Sequence, residues 1–425
     1  MRFCTMTLGC KVNQYETLAL EGILCKQGHE LVNLGDGCDV CILNTCAVTV
    51  ESERKSRQAI RRMKKLEPEA KIAVCGCYSK LKPESVKKAG ADYIRGIVNT
   101  KLGTVLLTIN DEKSTINDEH STNNVSRTVP NFDELPPGSS INRTRALLKI
   151  QDGCDKFCTY CIVPHIRGRS CSLPLERIAE YARQLDKQGY KEIVITGIEI
   201  SSYGKNLVEA IRIIGAEAPN ARLRLGSLDP AMMTNEMCNK LSKISALCNH
   251  FHLSLQSGCD KILNEMGRKY TTNQVSQNIE FLRTYFPGCA ITADLITGFP
   301  GETDEDFNIT LDFIKKAAFS DMHIFPYSQR PGTKAADMPN QIEQSIKKER
   351  ARIATKTAKK MADSYKKTQI GKTLEVLFEQ ENNGYSKGHS GNYQLVTVKE
   401  KLKRNTIHNV TITGIKNDIL SGEIS

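Results

Sequence analysis

Two changes of rhythm along the 425-residue chain predict a mixed α/β protein with three structured parts. Over roughly the first 108 residues short apolar runs alternate with amphipathic stretches, the pattern that builds a parallel sheet flanked by helices. The alternation stops in a polar segment, restarts at Arg145 and repeats about six times, which predicts a partial (β/α)6 barrel. About 55 residues at the end carry only β-type runs punctuated by glycine, which predicts a small antiparallel, OB-like barrel.

In the first part, Arg2–Leu8, Val40–Asn44 and Lys71–Cys75 read as strands, and Glu16–Lys26, Glu51–Leu66 and Lys82–Ala89 as helices. This predicts a parallel α/β domain of the flavodoxin/Rossmann-like kind over residues 1–112. The segment of about 109–144 is poor in apolar residues and rich in Asn, Asp, Ser and Thr, and residues 113–139 are expected to be a linker or long loop. The barrel is placed in residues 140–368, with strands Ala146–Gln151, Glu192–Thr196, Arg222–Gly226, His250–Gln256, Ala290–Ile296 and Met322–Tyr327. Helices such as Leu175–Gln188 and Thr303–Lys316 separate them. A basic helix, Gln344–Lys367, closes this part. The final domain, residues 369–425, contains the runs Leu374–Phe378, Leu395–Val398 and Asn409–Thr413.

Composition narrows the function. With 40% hydrophobic and 25% charged residues, a fully disordered chain is excluded. No run of about 18 apolar residues exists, so no membrane span is expected. The opening MRFCTMTLGCKVNQYE lacks a continuous apolar core, so no secretory signal is read there and a cytoplasmic location is expected. Lys and Arg outnumber Asp and Glu by 59 to 48, a net charge of +11 that suits either a polyanion partner or simple solubility. Two helices concentrate this charge. From Lys347 to Lys367 nine cations face only Glu349 and Asp363, and Arg54–Lys65 holds seven cations with no acid. Nucleic acid is the partner such faces track; an ordinary solvated surface is the alternative.

Sixteen cysteines are too many for a reducing compartment unless they bind metal, do redox chemistry or pack as small core residues. The sharpest pattern is CDKFCTYC, in which Cys154, Cys158 and Cys161 follow the first barrel strand with C-x3-C-x2-C spacing. Three thiolates on a tight loop can hold three irons of a [4Fe–4S] cube and leave the fourth iron open. Zinc with His165 as fourth ligand, or plain packing, are the alternatives. In the first domain Cys10, Cys46 and Cys77 each lie at or just past a strand end, so one rim of the sheet can gather them. Spacing alone also allows them to be buried core residues. Cys4, Cys25, Cys38, Cys41 and Cys75 are expected to pack in the core.

The motif Cys154–Cys161 resembles that of the radical S-adenosylmethionine (SAM) superfamily. The resemblance implies SAM bound at the open iron, Tyr160 near the adenine, and Gly197 and Glu199 of the TGIEI run near the methionyl end. The TGIEI run departs from the superfamily's Gly-Gly-Glu pattern at Ile198. GFPGET, at 298–303, is expected to be a ligand-facing loop. With TLGCKVNQYE, ILNTCAV, CGCY, QDGCDKFCTYCIVP, RLGSLDP, HLSLQSGCDKILNEMGRKYT, DLITGFPGET and FPYSQRPGT, nearly the whole chain resembles the radical-SAM methylthiotransferases. That family implies a second [4Fe–4S] cluster on Cys10, Cys46 and Cys77. The tail resembles the RNA-binding TRAM barrel. The resemblance further implies methylthiolation at C2 of an adenosine in a tRNA anticodon loop; an electron donor such as flavodoxin or ferredoxin is expected, and a monomer would suffice. TLGCKVNQYE looks most like the branch acting on N6-threonylcarbamoyladenosine at position 37. Branches acting on isopentenyl-adenosine or on a ribosomal-protein aspartate are the alternatives, as is a non-catalytic iron–sulfur RNA-binding protein. Arg330 in FPYSQRPGT is expected on the substrate side.

Overall fold

The computed structural model describes residues 1–99, 132–138 and 143–425. Most of the segment expected to be a linker therefore lies outside the described residues. The N-terminal domain is one sheet of five parallel strands, β1 (Arg2–Thr7), β2 (Glu30–Leu31), β3 (Val40–Thr45), β4 (Lys71–Gly76) and β5 (Tyr93–Ile94), in the order β2-β1-β3-β4-β5. The central strand β3 is buried at every position because helices cover both faces. The first helix, Lys11–Lys26, starts five residues earlier than the apolar pattern suggests. Asn13 and Glu16 occupy buried positions there and interrupt the apolar stripe. The next helix, Val50–Leu66, is started by Thr49, whose side chain accepts from the Ser52 amide.

The barrel strands are β6 (Arg145–Asp152), β8 (Glu192–Gly197), β9 (Arg222–Leu225), β10 (Ser227–Leu228), β11 (His250–Gln256), β12 (Ala290–Thr297) and β13 (Asp321–Pro326), with a short antiparallel β7 (Cys171–Ser172) beside β6. The third unit, expected as one strand, is split. β9 pairs with β8, the Gly226 amide donates to Ile195 O, and β10 then pairs with β11. The result is two sheets, β7-β6-β8-β9 and β10-β11-β12-β13, which run on as an open six-unit barrel. Alternate residues such as Leu148, Ile195, Leu225, Leu253 and Leu295 form one core with the outer helices. The intervening positions carry Lys149, Gln151, Glu192, Arg222, Arg224, His252 and Asp294 on the opposite, inner face.

The C-terminal domain is a closed barrel of β14 (Thr373–Asn382), β15 (Tyr385–Ser390), β16 (Leu395–Val398), β17 (Ile407–Lys416) and β18 (Ile419–Ile424), in the order β14-β15-β16-β18-β17. It departs from the purely antiparallel expectation at one pair, β16 with β18, which is parallel. The barrel docks through buried charge: Glu192 holds Arg222 (2.8 Å) and Arg224 (2.7 Å), and these donate on to the carbonyls of His389 and Gly391. Paired arginines hold the Glu192 carboxyl at about 2, below its ordinary value, against the opposing effect of burial.

The stretch 132–138, expected within the linker, is docked. Leu135 is fully buried, its carbonyl accepts from Tyr15 Oη (2.6 Å), and the neighbouring Glu134 carbonyl accepts from Tyr181 Oη (2.8 Å). This piece of chain ties the first helix of the N-terminal domain to the first outer helix of the barrel, Leu175–Lys187.

Candidate functional site

The loop after β6 begins at Gly153, whose φ of +65° lets the chain turn sharply where a side chain would overlap the Arg169 carbonyl. Its return is fixed by Cys154 N to Gly168 O (3.1 Å), Thr159 N to Met266 O (3.0 Å) and Cys161 N to Cys158 O (2.9 Å). Cys154, Cys158 and Cys161 thus converge, and the thiols of Cys154 and Cys161 both feel Cys158. Burial, with Cys158 and Cys154 nearby, pushes Cys161 up to about 12. Their sulfurs do not form a group within 4.8 Å with one another or with His165, among the described residues. His165 is exposed and lies against the Phe157 ring instead. A single tetrahedral zinc needs a tighter set, whereas a four-iron cube takes one thiolate at each of three separate corner irons. The donor set fits the cube.

Charged groups from the C-terminal ends of neighbouring strands ring this loop. Lys156 bonds to Glu199 (2.8 Å), which follows β8, and to Asp229, which follows β10. Arg268 donates to Cys158 Sγ (3.4 Å) and to the Ser254 carbonyl (2.8 Å), and lies 3.8 Å from Asp229. Glu199 is held by its own amide donating to Gln151 Oε1 (2.8 Å). Gly197 packs so closely on Gln151 that a Cβ would come within 2.9 Å. Tyr160 packs with Ile296, Phe299, Tyr327, Ile262 and Met266 in an apolar patch. Gly197 and Glu199 thus sit at and just past the end of β8, and Tyr160 lies within the three-cysteine loop itself. Lys156, Asp229 and Arg268 are legible in sequence only as members of matching strings, because their partnership depends on the barrel.

The second triad forms at the rim of the N-terminal sheet. Cys10 follows β1, Cys46 follows β3 and Cys77 follows β4. Gly9, at φ +108°, sits so close to Cys46 that a Cβ would lie 2.8 Å from that residue's Cβ and 3.1 Å from its sulfur. Burial raises Cys46 and, with Cys10 and Cys46 beside it, raises Cys77 to about 12. These are desolvated thiols, which metal binding ionises.

One side chain lies between the triads. The Arg167 guanidinium is buried and pairs with Glu16 (2.7 Å) and Asp152 (3.1 Å). It also donates to Asn13 Oδ1 (2.9 Å). Its positive field acts on Cys77 and Cys46, and the next residue, Gly168, holds Cys154 through its carbonyl. Lys149 adds a second cation to Glu16 and Asp152. This network crosses the domain boundary, since Asn13 and Glu16 come from the first domain and Lys149, Asp152 and Arg167 from the barrel.

Arg330 is buried and its Nη2 pairs with Glu53 of helix Val50–Leu66, linking the two domains, while its Nε and Nη1 have no hydrogen-bond partner among the described residues. Cys75 does pack in the core, but Cys25 is exposed and Cys38 only half-buried. In helix Gln344–Lys367, Lys347 and Arg350 are buried, and Lys359 and Lys366 pair with Asp418 of the C-terminal barrel. Much of its charge is therefore structural. The helix Val50–Leu66 keeps Arg54, Lys55, Arg61, Arg62, Lys64 and Lys65 exposed. A run that sequence alone does not single out, Lys399, Lys401, Lys403 and Arg404, is exposed between β16 and β17.

An open six-unit barrel with a three-cysteine loop at the C-terminal end of its first strand defines a radical-SAM protein. The family models agree: the radical SAM superfamily matches residues 148–314, and an uncharacterised protein family, UPF0004, matches residues 2–96. The threonylcarbamoyladenosine tRNA methylthiotransferase MtaB of Bacillus subtilis is 35% identical over 409 residues, covering 92% of this chain and 89% of the relative. That of Thermotoga maritima is 38% identical over 379 residues, covering 88% and 85%. A tRNA-2-methylthio-N(6)-dimethylallyladenosine synthase from Acetivibrio thermocellus is 32% identical over 392 residues, covering 89% and 80%. Among solved structures, the radical SAM methyltransferase TsrM from Kitasatospora setae superposes with a TM-score of 0.60 at 16% identity, covering 79% of this chain and 74% of that one, a likeness of fold. The chain belongs to the radical-SAM methylthiotransferase family, and is a transferase.

Proposed function

We propose that this protein methylthiolates C2 of N6-threonylcarbamoyladenosine at position 37 of tRNA. The observation that carries the reading is the pair of cysteine triads held on either side of Arg167 in one chain. Cys154, Cys158 and Cys161 would hold one [4Fe–4S] cluster and Cys10, Cys46 and Cys77 the other. Bound there, the clusters and SAM supply carbon-radical formation, sulfur and a methyl group, which an adenine C2 needs because it offers neither an acidic proton nor a leaving group.

The protein's own residues bind, orient and shield. Glu199 and Asp229, which pair with Lys156, would hold the methionyl ammonium of SAM. Arg268 places a fixed positive charge on Cys158, and hydrogen bonds and charge at a cluster's sulfurs tune its potential. Tyr160 and the apolar patch around it would exclude water from the reacting groups. Arg61, Arg62 and Lys65 on one domain and Lys399, Lys401 and Lys403 on another supply phosphate contacts, which position an anticodon loop without reading its sequence. No described helix is long and apolar enough to cross a membrane, and the protein acts, in this reading, as a cytoplasmic monomer served by a flavodoxin or ferredoxin.

Relatives named for threonylcarbamoyladenosine reach 34–38% identity and those named for dimethylallyladenosine 31–34%, which favours the first substrate. Nucleoside mass spectrometry of bulk tRNA from cells with and without the gene tests this. The reading predicts loss of 2-methylthio-N6-threonylcarbamoyladenosine and accumulation of its precursor. Loss of the isopentenyl-adenosine product instead would move the protein to the other branch, and an unchanged tRNA profile would overturn the tRNA substrate.

A further inference from the structure

A third group of thiols lies away from both triads. Cys4 of β1 and Cys41 of β3 are register partners on adjacent parallel strands, with their sulfurs 3.3 Å apart on the same face of the sheet. Cys38, from the loop that enters β3, brings its sulfur to 3.6 Å from Cys4 and 3.5 Å from Cys41. All three sulfurs thus meet at one point. Cys41 lies five residues before Cys46, about 16 Å along the chain at strand rise. The group therefore sits towards the N-terminal ends of the strands, whereas Cys10, Cys46 and Cys77 follow their C-terminal ends.

The loop that supplies Cys38 is built to hold it. The buried Glu67 carboxylate accepts from the amides of Gly35 (2.7 Å), Gly37 (3.1 Å) and Cys38 (3.3 Å). Cys38 and Cys41 share C-x2-C spacing, the interval at which two thiolates reach one ion. Cys4 and Cys41 are fully buried among apolar neighbours such as Leu43, Ile60 and Ile72, while Cys38 is half-exposed. The group therefore has a soft, dry floor and one side open to water.

We propose that Cys4, Cys38 and Cys41 bind one Zn(II) ion as thiolates, with water in the fourth position. A Zn–S bond of about 2.3 Å sets tetrahedral sulfurs about 3.8 Å apart, so the observed spacing needs an outward shift of only a few tenths of an ångström. Binding releases thiol protons to solvent and involves no change of oxidation state. The ion would cross-link β1, β3 and the loop before β3 at the end of the sheet away from the second triad. The proposal stands independently of the substrate assigned above.

The test is metal analysis of the full-length, anaerobically prepared holoenzyme after dialysis with zinc. The proposal predicts one zinc per chain in the wild type and none in Cys38→Ser, with iron and sulfide per chain unchanged. Cys38 is the least buried of the three, so its variant is the one least disturbed in folding. Titration with Co(II) gives a second readout: intense thiolate-to-cobalt charge-transfer absorption in the wild type, lost in both Cys38→Ser and Cys41→Ser. Zinc absent from the wild type, zinc retained in Cys38→Ser, or a Cys4–Cys41 disulfide in protein that takes up no metal after reduction would each overturn it.

Discussion

Cys154, Cys158 and Cys161 span eight residues of chain, whereas Cys10, Cys46 and Cys77 span sixty-eight and come from three separate strand ends. Both sets present three thiols beyond the C-terminal ends of parallel strands. In the first, a local turn sets the geometry, and Gly153 with the amides of Cys154, Thr159 and Cys161 fixes it. In the second, the parallel register of β1, β3 and β4 sets it, and only the folded sheet makes the site. A local loop can hold its cluster while the rest of the chain breathes; a rim site depends on the whole domain. Arg167 connects the two kinds of site, so damage to it should separate them.

The largest contrast is expected from single cysteine changes. Cys158→Ser is expected to abolish both release of 5′-deoxyadenosine from SAM and formation of the methylthio product. Cys46→Ser is expected to abolish the product while SAM cleavage persists. Chromatography of both products in one anaerobic assay checks this, and equal loss of SAM cleavage in both variants would erase the distinction between the sites.

Next comes the link. Arg167→Met leaves Glu16 and Asp152 buried with Lys149 as their remaining cation, and removing one partner of such a buried network costs about 3–5 kcal/mol. A lower denaturant midpoint and faster proteolysis between the first two domains are expected. A stability unchanged within about 1 kcal/mol would show that the network carries no such load.

A smaller effect is expected at the basic surfaces. Charge reversal of Arg61, Arg62 and Lys65 together, or of Lys399, Lys401 and Lys403 together, is expected to weaken tRNA binding about tenfold or more. The slope of log affinity against log salt should fall by about 0.7–0.9 for each phosphate that is no longer neutralised. Filter binding across a salt series measures both. A slope that stays the same would remove that surface from the interface.

The last effect is read in acid and concerns the C-terminal barrel. The Glu192 carboxyl is held at about 2, below its ordinary value of 4.5. Its contribution to docking is therefore complete above pH 4.5 and is lost as pH falls through about 2. Circular dichroism during acid titration should show that Glu192→Gln flattens this part of the curve. An acid limb identical to the wild type would place the acid sensitivity elsewhere.

Much of this architecture is legible in the sequence, for reasons that differ by element. Strands such as His250–Gln256 and Leu395–Val398 fall where periodicity puts them, because one face of each is apolar, and helix Gln344–Lys367 does so through its stripe of Ala354, Ala358 and Ala362. The start of helix Lys11–Lys26 is hidden by Asn13 and Glu16, polar residues buried for the sake of the interdomain network. The break at Gly226 is hidden because a strand that changes partners looks continuous in sequence. In the site, Cys154, Cys158 and Cys161 announce themselves by spacing. Cys10, Cys46 and Cys77 do so only once strand ends are placed on a common rim. The group of Cys4, Cys38 and Cys41 reads as core packing, because nothing in the sequence brings residue 4 beside residue 41. Lys156 with Asp229 and Arg268 with Cys158 pair residues too far apart in sequence for any local pattern to reveal.

The central claim is that the two triads each hold one four-iron cluster. Iron and sulfide analysis with Mössbauer spectroscopy on anaerobically reconstituted wild type, on Cys10/Cys46/Cys77→Ala and on Cys154/Cys158/Cys161→Ala tests it most directly. The account predicts that each triple variant retains half of the wild-type iron and sulfide, all of it in one [4Fe–4S] environment. Wild-type iron sufficient for a single cluster, or a triple variant that keeps the full complement, would contradict it.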